Sequence, residues 1–297
     1  MAYAKYNHMP RQWITVTEEL AGKRTDKLIA DYFPSYPRTA LHKLFASEHV
    51  LLNGKVTKPG IKVRLNDTLR VDLSPLEITI ADIDLPILYE DKDVLVINKP
   101  SGVISHARGR YFDEPSVASF VRQKVAELTG ERSGIVHRLD RATSGVMICA
   151  KNTDSLSWLQ RQFSERKVQK TYMAVVFGSL PTEEGLIDMP IARNPLKPVT
   201  FHVHESGKHA TTHYRVISQN NGYSLVELKP VTGRTHQLRV HLAQLGHPIV
   251  GDDLYHGESA ERLMLHAHSL TIALPSKEIV TFEAPLPEAF NRYYVSP

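Results

Sequence analysis

At 297 residues, 42% apolar and 23% charged, the chain has the make-up of a soluble globular protein with room for about two domains. Its apolar runs are too short to span a bilayer, and its one cysteine, Cys149, excludes an internal disulfide or a paired-cysteine metal knuckle. A net charge of +4 and no basic-then-apolar opening segment lead us to expect a cytoplasmic protein compatible with a nucleic-acid partner.

Residues 1–12 read as a polar leader, and Trp13-Ile14-Thr15-Val16-Thr17 as a short strand. Lys23 to Phe33 places Leu28, Ile29, Tyr32 and Phe33 on one helical face. Pro34 and Pro37 interrupt it, and Pro37 suits the opening of a second helix carrying Leu41, Leu44 and Phe45. Val50 to Val56 contains an Asn53-Gly54 hairpin signal, and Asn66-Asp67 makes a turn before the alternating strand Leu69 to Leu73. From Arg38 to Arg64 the chain carries Arg38, His42, Lys43, Lys55, Lys58, Lys62 and Arg64 against Glu48 alone, a local excess suited to phosphate. Pro75 and Pro86, with little helical periodicity around them, mark a linker over 76–88 between a small α+β domain (13–75) and a larger one (89–297).

Beyond the linker, Asp93 to Lys99 is an apolar strand ending in the turn Pro100-Ser101-Gly102. Ser116 to Leu128 is expected to be a helix with Ser116 as its N-cap, and Leu156 to Arg166 another. Thr171 to Val176, Ala210 to Ile217, Ser224 to Leu228 and Leu270 to Leu274 read as strands, and Arg234 to Gln244 as a helix with Leu238, Leu242 and Leu245 in register.

The most informative stretch is His137-Arg138-Leu139-Asp140-Arg141-Ala142-Thr143-Ser144-Gly145, running into the apolar Val146 to Ala150. Asp140 sits between two arginines, which favours a carboxylate anion at neutral pH. A surface ion pair is the plain alternative. It leaves the small-residue turn and the apolar strand that follow without a reason. Three further segments share the functional residue types: Asn98 to Gly102, Lys170 to Ala174, and Gly233-Arg234-Thr235-His236-Gln237-Leu238-Arg239-Val240-His241.

In this order these four segments resemble the RluA family of RNA pseudouridine synthases over roughly residues 85–290. Gly207 to Thr212, Gly246 to Asp252 and Leu265-His266-Ala267 extend the match. In the first domain, Arg24 to Leu28, Val50 to Val56 and Val63 to Val71 resemble the S4-type RNA-binding domain. The resemblance implies an α+β fold: a catalytic domain on a mixed, mainly antiparallel sheet with flanking helices, preceded by the small S4-like domain. The implied reaction turns uridine into pseudouridine by breaking the N1–C1′ bond, turning the uracil and rejoining it through C5, with no cofactor and no metal. The layout points to large-subunit ribosomal RNA, with transfer RNA as the alternative substrate, and to a cytoplasmic monomer away from membranes.

The same resemblance assigns roles. Asp140 is the carboxylate at C1′, acting as nucleophile or as stabiliser of developing positive charge, and Arg239 is its partner. Tyr172 stacks on the target base and is a candidate general base, although a phenol near pKa 10 is a poor base unless tuned. Leu238 lines the uracil pocket, with core packing as the competing explanation. Arg138 fills the space left by the flipped nucleotide, a task suited to a planar guanidinium. Arg234 and Lys99 are expected phosphate contacts, while Arg38, Lys43, Lys55, Lys58 and Arg64 form the RNA-binding surface of the S4-like domain. Two other functions compete. The 15 histidines, with pairs at His202/His204, His236/His241 and His266/His268, allow a metal-dependent hydrolase, but no acidic residue completes a site at clear spacing. A non-catalytic RNA-binding factor would share the basic face but has no need of Asp140, Tyr172 and Arg239 together.

Overall fold

A computed structural model describes residues 11–76, 82–106, 114–125, 127–128 and 133–294, which divide into two units after Ala81. Of the leader expected over 1–12, residues 1–10 lie outside the described residues, and Arg11 and Gln12 already belong to a strand. Among the described residues no helix is long and apolar enough to cross a membrane.

The first unit contains β1 (Arg11–Thr15), α1 (Thr25–Tyr32), α2 (Arg38–Ala46), β2 (Val50–Leu52), β3 (Lys55–Val56) and β4 (Thr68–Asp72). Pro37 stands at the N-cap of α2, where its missing N–H costs no helical bond. Asn53 and Gly54 take φ of 50° and 80°, the left-handed pair of a type I′ turn, and this sets the β2–β3 hairpin. The antiparallel sheet runs β1-β4-β2-β3. Leu28, Ile29, Leu41 and Leu44 of the helices pack on Ile14, Val50, Leu69 and Val71 of the strands. Arg38, Lys43, Lys55, Lys58 and Arg64 are all exposed.

The second unit contains β5 (Ile87–Glu90), β6 (Val94–Lys99), α3 (Val117–Lys124), β7 (Ser144–Ala150), α4 (Thr153–Ser164), β8 (Gln169–Phe177), β9 (Glu184–Asp188), β10 (Ile191–Arg193), β11 (Phe201–Val203), β12 (Thr211–Asn220), β13 (Tyr223–Pro230), α5 (Gln237–Gln244), β14 (Leu265–Ala273) and β15 (Ile279–Glu283). Nine strands form one sheet in the order β5-β6-β7-β14-β8-β13-β12-β9, with β15 beside β14. Every pairing in it is antiparallel except β7 with β14, the mixed, mainly antiparallel sheet that was expected. Ser116 caps α3 and Asn152 caps α4, each through a reciprocal bond with the serine three residues on.

The parallel β7–β14 pair positions the site. It covers only two residue pairs, Ser144 with His266 and Gly145 with Ala267, and it joins two separate cores. On one side Leu95, Ile97, Met147 and Ile148 pack with Phe120 and Leu159. On the other Val175, Leu225 and Leu228 pack with Leu238, Leu242 and Leu265. Gly145 is obligatory at the seam: its φ is 117°, and a Cβ there would lie 2.1 Å from the Ala267 carbonyl oxygen. The loop ahead of β7 thus ends against β14, whose other neighbour, β8, carries Tyr172 opposite that same Ala267.

Candidate active site

Asp140 lies in the loop that enters β7, and that loop is held by the segment following β6. Ser105 hydroxyl donates to the Leu139 carbonyl at 2.7 Å and accepts the Leu139 N–H at 3.1 Å. Ser101 hydroxyl donates to the Ala142 carbonyl at 2.7 Å, and the Gly102 N–H to the Arg141 carbonyl at 2.8 Å. Within the loop, the Thr143 N–H donates to the Asp140 carbonyl at 3.1 Å. Leu139 is buried beneath the loop, and Arg141 points away to an exposed pair with Glu114. The backbone on both sides of Asp140 is therefore fixed while its side chain stays 20% exposed, enough to meet a ligand.

Lys99 belongs to this scaffold, and here the structure corrects the sequence reading. Instead of a surface phosphate contact it is a fully buried side chain whose ammonium donates to the carbonyls of Pro100 (2.8 Å), Val103 (2.8 Å) and Arg141 (3.2 Å). Burial pushes it down to about 7, with the Asp140 charge pulling it back up. Three carbonyl acceptors match the three N–H donors of an ammonium, so no bond remains for a phosphate.

The opposite wall comes from α5 and the residues leading into it. Gln237 knots this segment: its side-chain oxygen accepts from Thr232 hydroxyl and the Arg234 N–H, and its amide donates to the Thr211 carbonyl and Thr212 hydroxyl. The helix begins three residues later than the expected Arg234, because His236 adopts a left-handed φ of 56° at its N-cap. Left-handed non-glycine residues gather at functional sites. From that position His236 Nε2 faces Asp140 Oδ2 at 3.8 Å, and Nδ1 lies 2.8 Å from the Tyr255 hydroxyl. Burial pushes the Tyr255 phenol up to about 12 and its oxygen already accepts the Phe201 N–H, so its proton bonds to His236 Nδ1. That arrangement puts the imidazole proton on Nε2, toward Asp140. Burial holds His236 below its ordinary value against the pull of Asp140.

Arg239 Nη1 approaches Asp140 Oδ2 at 3.8 Å, so the predicted pair is brought together. The tighter partner is one the sequence reading did not single out. Asp252, whose side chain is fully buried, takes Arg239 Nε and Nη2 in a bidentate pair at 2.7 Å each. Burial disfavours the Arg239 charge, and Asp252 followed by Asp140 more than offsets it. Asp252 also accepts the backbone N–H groups of Leu254 and Tyr255, while Arg239 lies over the Tyr255 ring at 5.1 Å. The signal for Asp252 in the sequence was its place at the end of the Gly246 to Asp252 match, which carried no role.

Asp140, His236 and Arg239 line one cavity of about 510 Å³ in the second unit, together with Arg138, Tyr172, Leu238, Arg234, Arg166 and Lys170, while Asp252 stands behind Arg239. Arg138 is exposed, and Arg234 is half-buried with Nε donating to the His209 carbonyl. Leu238 is buried in the core and also lines the cavity, so both readings of it apply. Burial, and then the Asp140 charge, raise the Tyr172 phenol well above its ordinary value, which keeps the proton on its oxygen. His137 is a structural member: it stacks on Phe163 at 4.6 Å, accepts the Ile148 N–H, and is pushed by burial down to about 3. His241 and His266 are bonded to Thr212 and Ser144 inside the fold, and no group of three potential metal ligands occurs among the described residues.

Comparison with known proteins gives the family. The sequence profile of the RNA pseudouridylate synthase family matches residues 93–244, which include Asp140, Tyr172 and Arg239. The chain is 37% identical to ribosomal large subunit pseudouridine synthase D of Xylella fastidiosa over 92% of its own length and 88% of that protein. It is 34% identical to the protein of the same name from Escherichia coli K12, over 92% and 90%. Human RNA pseudouridylate synthase domain containing 1 superposes with a TM-score of 0.60 at 32% identity, over 71% of this chain and 88% of that one. A match over half of the chain that takes in Asp140, Tyr172 and Arg239, and a likeness that runs through both units, mean that the chain belongs to the RNA pseudouridylate synthase family.

Proposed function

We propose that this RNA pseudouridine synthase acts on large-subunit ribosomal RNA, with Asp140 as its essential carboxylate and Tyr172 and Arg239 beside it. The observation that carries the reading is the meeting of Asp140 with Arg239 and His236 inside a cavity also lined by Tyr172. The reaction is an isomerisation. The N1–C1′ bond of uridine breaks, a C5–C1′ bond forms, the proton on C5 is lost and N1 gains one. A carboxylate at C1′ serves as nucleophile or as a counter-charge to the developing cation. Arg239 and the Nε2 proton of His236 face one carboxylate oxygen and leave the other for the sugar. The protonated state of Tyr172 favours a stacking role over that of general base. Arg138, exposed at the mouth, has the reach and planarity to occupy the place of the flipped nucleotide.

The ribosomal choice rests on the names of the relatives. In the first unit, the helix–helix–hairpin order and the exposed Arg38, Lys43, Lys55, Lys58 and Arg64 support an S4-like RNA-binding role. The enzyme is expected to work as a cytoplasmic monomer. The test combines Asp140→Asn with pseudouridine mapping of ribosomal RNA from cells with and without the protein. Tritium release from 5-tritiated uridine RNA should vanish in the variant while RNA affinity stays within about threefold, because a residue acting on the transition state contributes little to ground-state binding. Full activity in Asp140→Asn would remove the mechanism, and an unchanged ribosomal map would remove the substrate.

A further inference from the structure

The cavity contains a cation that neither the reaction nor the scaffold uses. Lys170 is the second residue of β8 and, by the two-residue alternation of a strand, points to the same side as Tyr172. Its ammonium makes no hydrogen bond or ion pair with any described residue, and burial lowers its pKa. Lys170 is half-buried, and a charge partly withdrawn from water without a partner is unfavourable, so such a group stands ready for an anion. The protein supplies none there. Asp140 is the one carboxylate among the described residues lining the cavity, and it faces Arg239 and His236 instead. The neighbouring imidazole of His137 is neutral at pH 7.

We propose that Lys170 is the seat for a backbone phosphate flanking the uridine flipped into the cavity. The inference rests on the uridine reading above and adds a subsite to it. Position argues for phosphate over base. Lys170 Nζ lies beside Gly233, with 3.9 Å to where a Cβ would stand, and apart from Gly233 and its two chain neighbours no other described heavy atom lies within 4 Å of that point. Gly233 is exposed, so the niche between the two opens toward solvent. Lys170 is one strand repeat from Tyr172, about 7 Å, the order of the step from a stacked base to its phosphate. The exposed Arg138 and Arg166 and the half-buried Arg234 line the same cavity, giving an excess of positive charge where a polyanion must enter. Lys99, which the sequence nominated for phosphate, is sealed among carbonyls, and Lys170 takes the place it leaves.

The test uses the full-length enzyme and a short RNA carrying a mapped target uridine, made in three forms: all-phosphate, or with one uncharged methylphosphonate on the 5′ or the 3′ side of that uridine. With the wild-type enzyme, one of the two neutral linkages should raise Kd and KM about tenfold, the order expected for a lost charge-assisted hydrogen bond. Lys170→Gln should weaken all-phosphate RNA by a similar factor and reduce the slope of log K against log salt by about one, with little change in kcat. In that variant the sensitive methylphosphonate should have no further effect, and Lys170→Arg should restore most of the affinity. Equal methylphosphonate penalties in wild type and Lys170→Gln, or none at either position in wild type, would overturn the proposal. So would a loss confined to kcat, which would place Lys170 on the base. Binding of the same RNAs to Asp140→Asn separates the two readings, since absence of pseudouridine formation by the wild type removes the reaction while leaving the phosphate contact measurable.

Discussion

Arg239 serves two carboxylates unequally, and the inequality explains how a buried arginine can support a reactive one. Asp252 holds the guanidinium with two bonds of 2.7 Å, so only Nη1 is left to face Asp140, at 3.8 Å. In the proposed mechanism a direct bidentate pair with Asp140 would consume the oxygen that is to reach C1′. Asp252→Asn should release Arg239 to close on Asp140. We expect kcat to fall about 100-fold, the scale of a misplaced catalytic group. Stability should fall by roughly 3–5 kcal/mol, as for a broken buried pair. Tritium-release kinetics and urea unfolding at pH 7 check both numbers. Unchanged kcat in a folded Asp252→Asn protein would show that Asp140 needs no such spacing.

At the level of elements, what was legible in the sequence depended on whether a local signal existed. Asn53-Gly54, Pro37 and Ser116 act through their own backbone geometry, and the structure uses each as expected. The start of α4 shifted from Leu156 to Thr153 because its capping residue, Asn152, lies ahead of the apolar face that was read. β5 falls partly inside the stretch assigned to the linker, and β9, β10, β11 and β15 were passed over, being strands of three to five residues. Ser144 and His266 meet across 122 positions, and no local pattern announces such a pair. The sealing of Lys99 among carbonyls has the same origin, since burial of a lysine is set by elements distant in the chain. In the first unit α2, the β2–β3 hairpin and the loop before β4 present their cations to solvent, and this leads to a salt-dependence prediction. Replacing Lys55, Lys58 and Arg64 together with glutamine should weaken RNA binding at all sequences and lower the salt slope by up to about 0.7–0.9 per residue that contacts phosphate. The kcat at saturating RNA should be unchanged. A triple variant with the wild-type slope would take this unit off the RNA.

For the whole molecule, the histidines buried in the second unit set the response to acid. Burial holds His137 at about 3 and His266 at about 4, against an ordinary 6.5 in an unfolded chain. Both are bonded as neutral rings, His137 accepting the Ile148 N–H and His266 sitting between Ser144 and the Ala284 carbonyl. Between pH 6.5 and about 4 the unfolded chain therefore binds more protons than the folded one, and stability falls as pH falls through that window. The depressed carboxyls of Asp26, Asp67 and Asp72 act lower, below their ordinary 3.8, so the histidines dominate the first part of acid unfolding. Each should contribute up to about 1.4 kcal/mol per pH unit. Urea unfolding followed by Trp158, with Trp13→Phe to silence the first unit, should show the fall between pH 6 and pH 5. His137→Gln and His266→Asn place an amide oxygen where the imidazole nitrogen accepts, and together they should flatten the curve. A double variant that keeps the wild-type slope would assign the proton uptake to other groups.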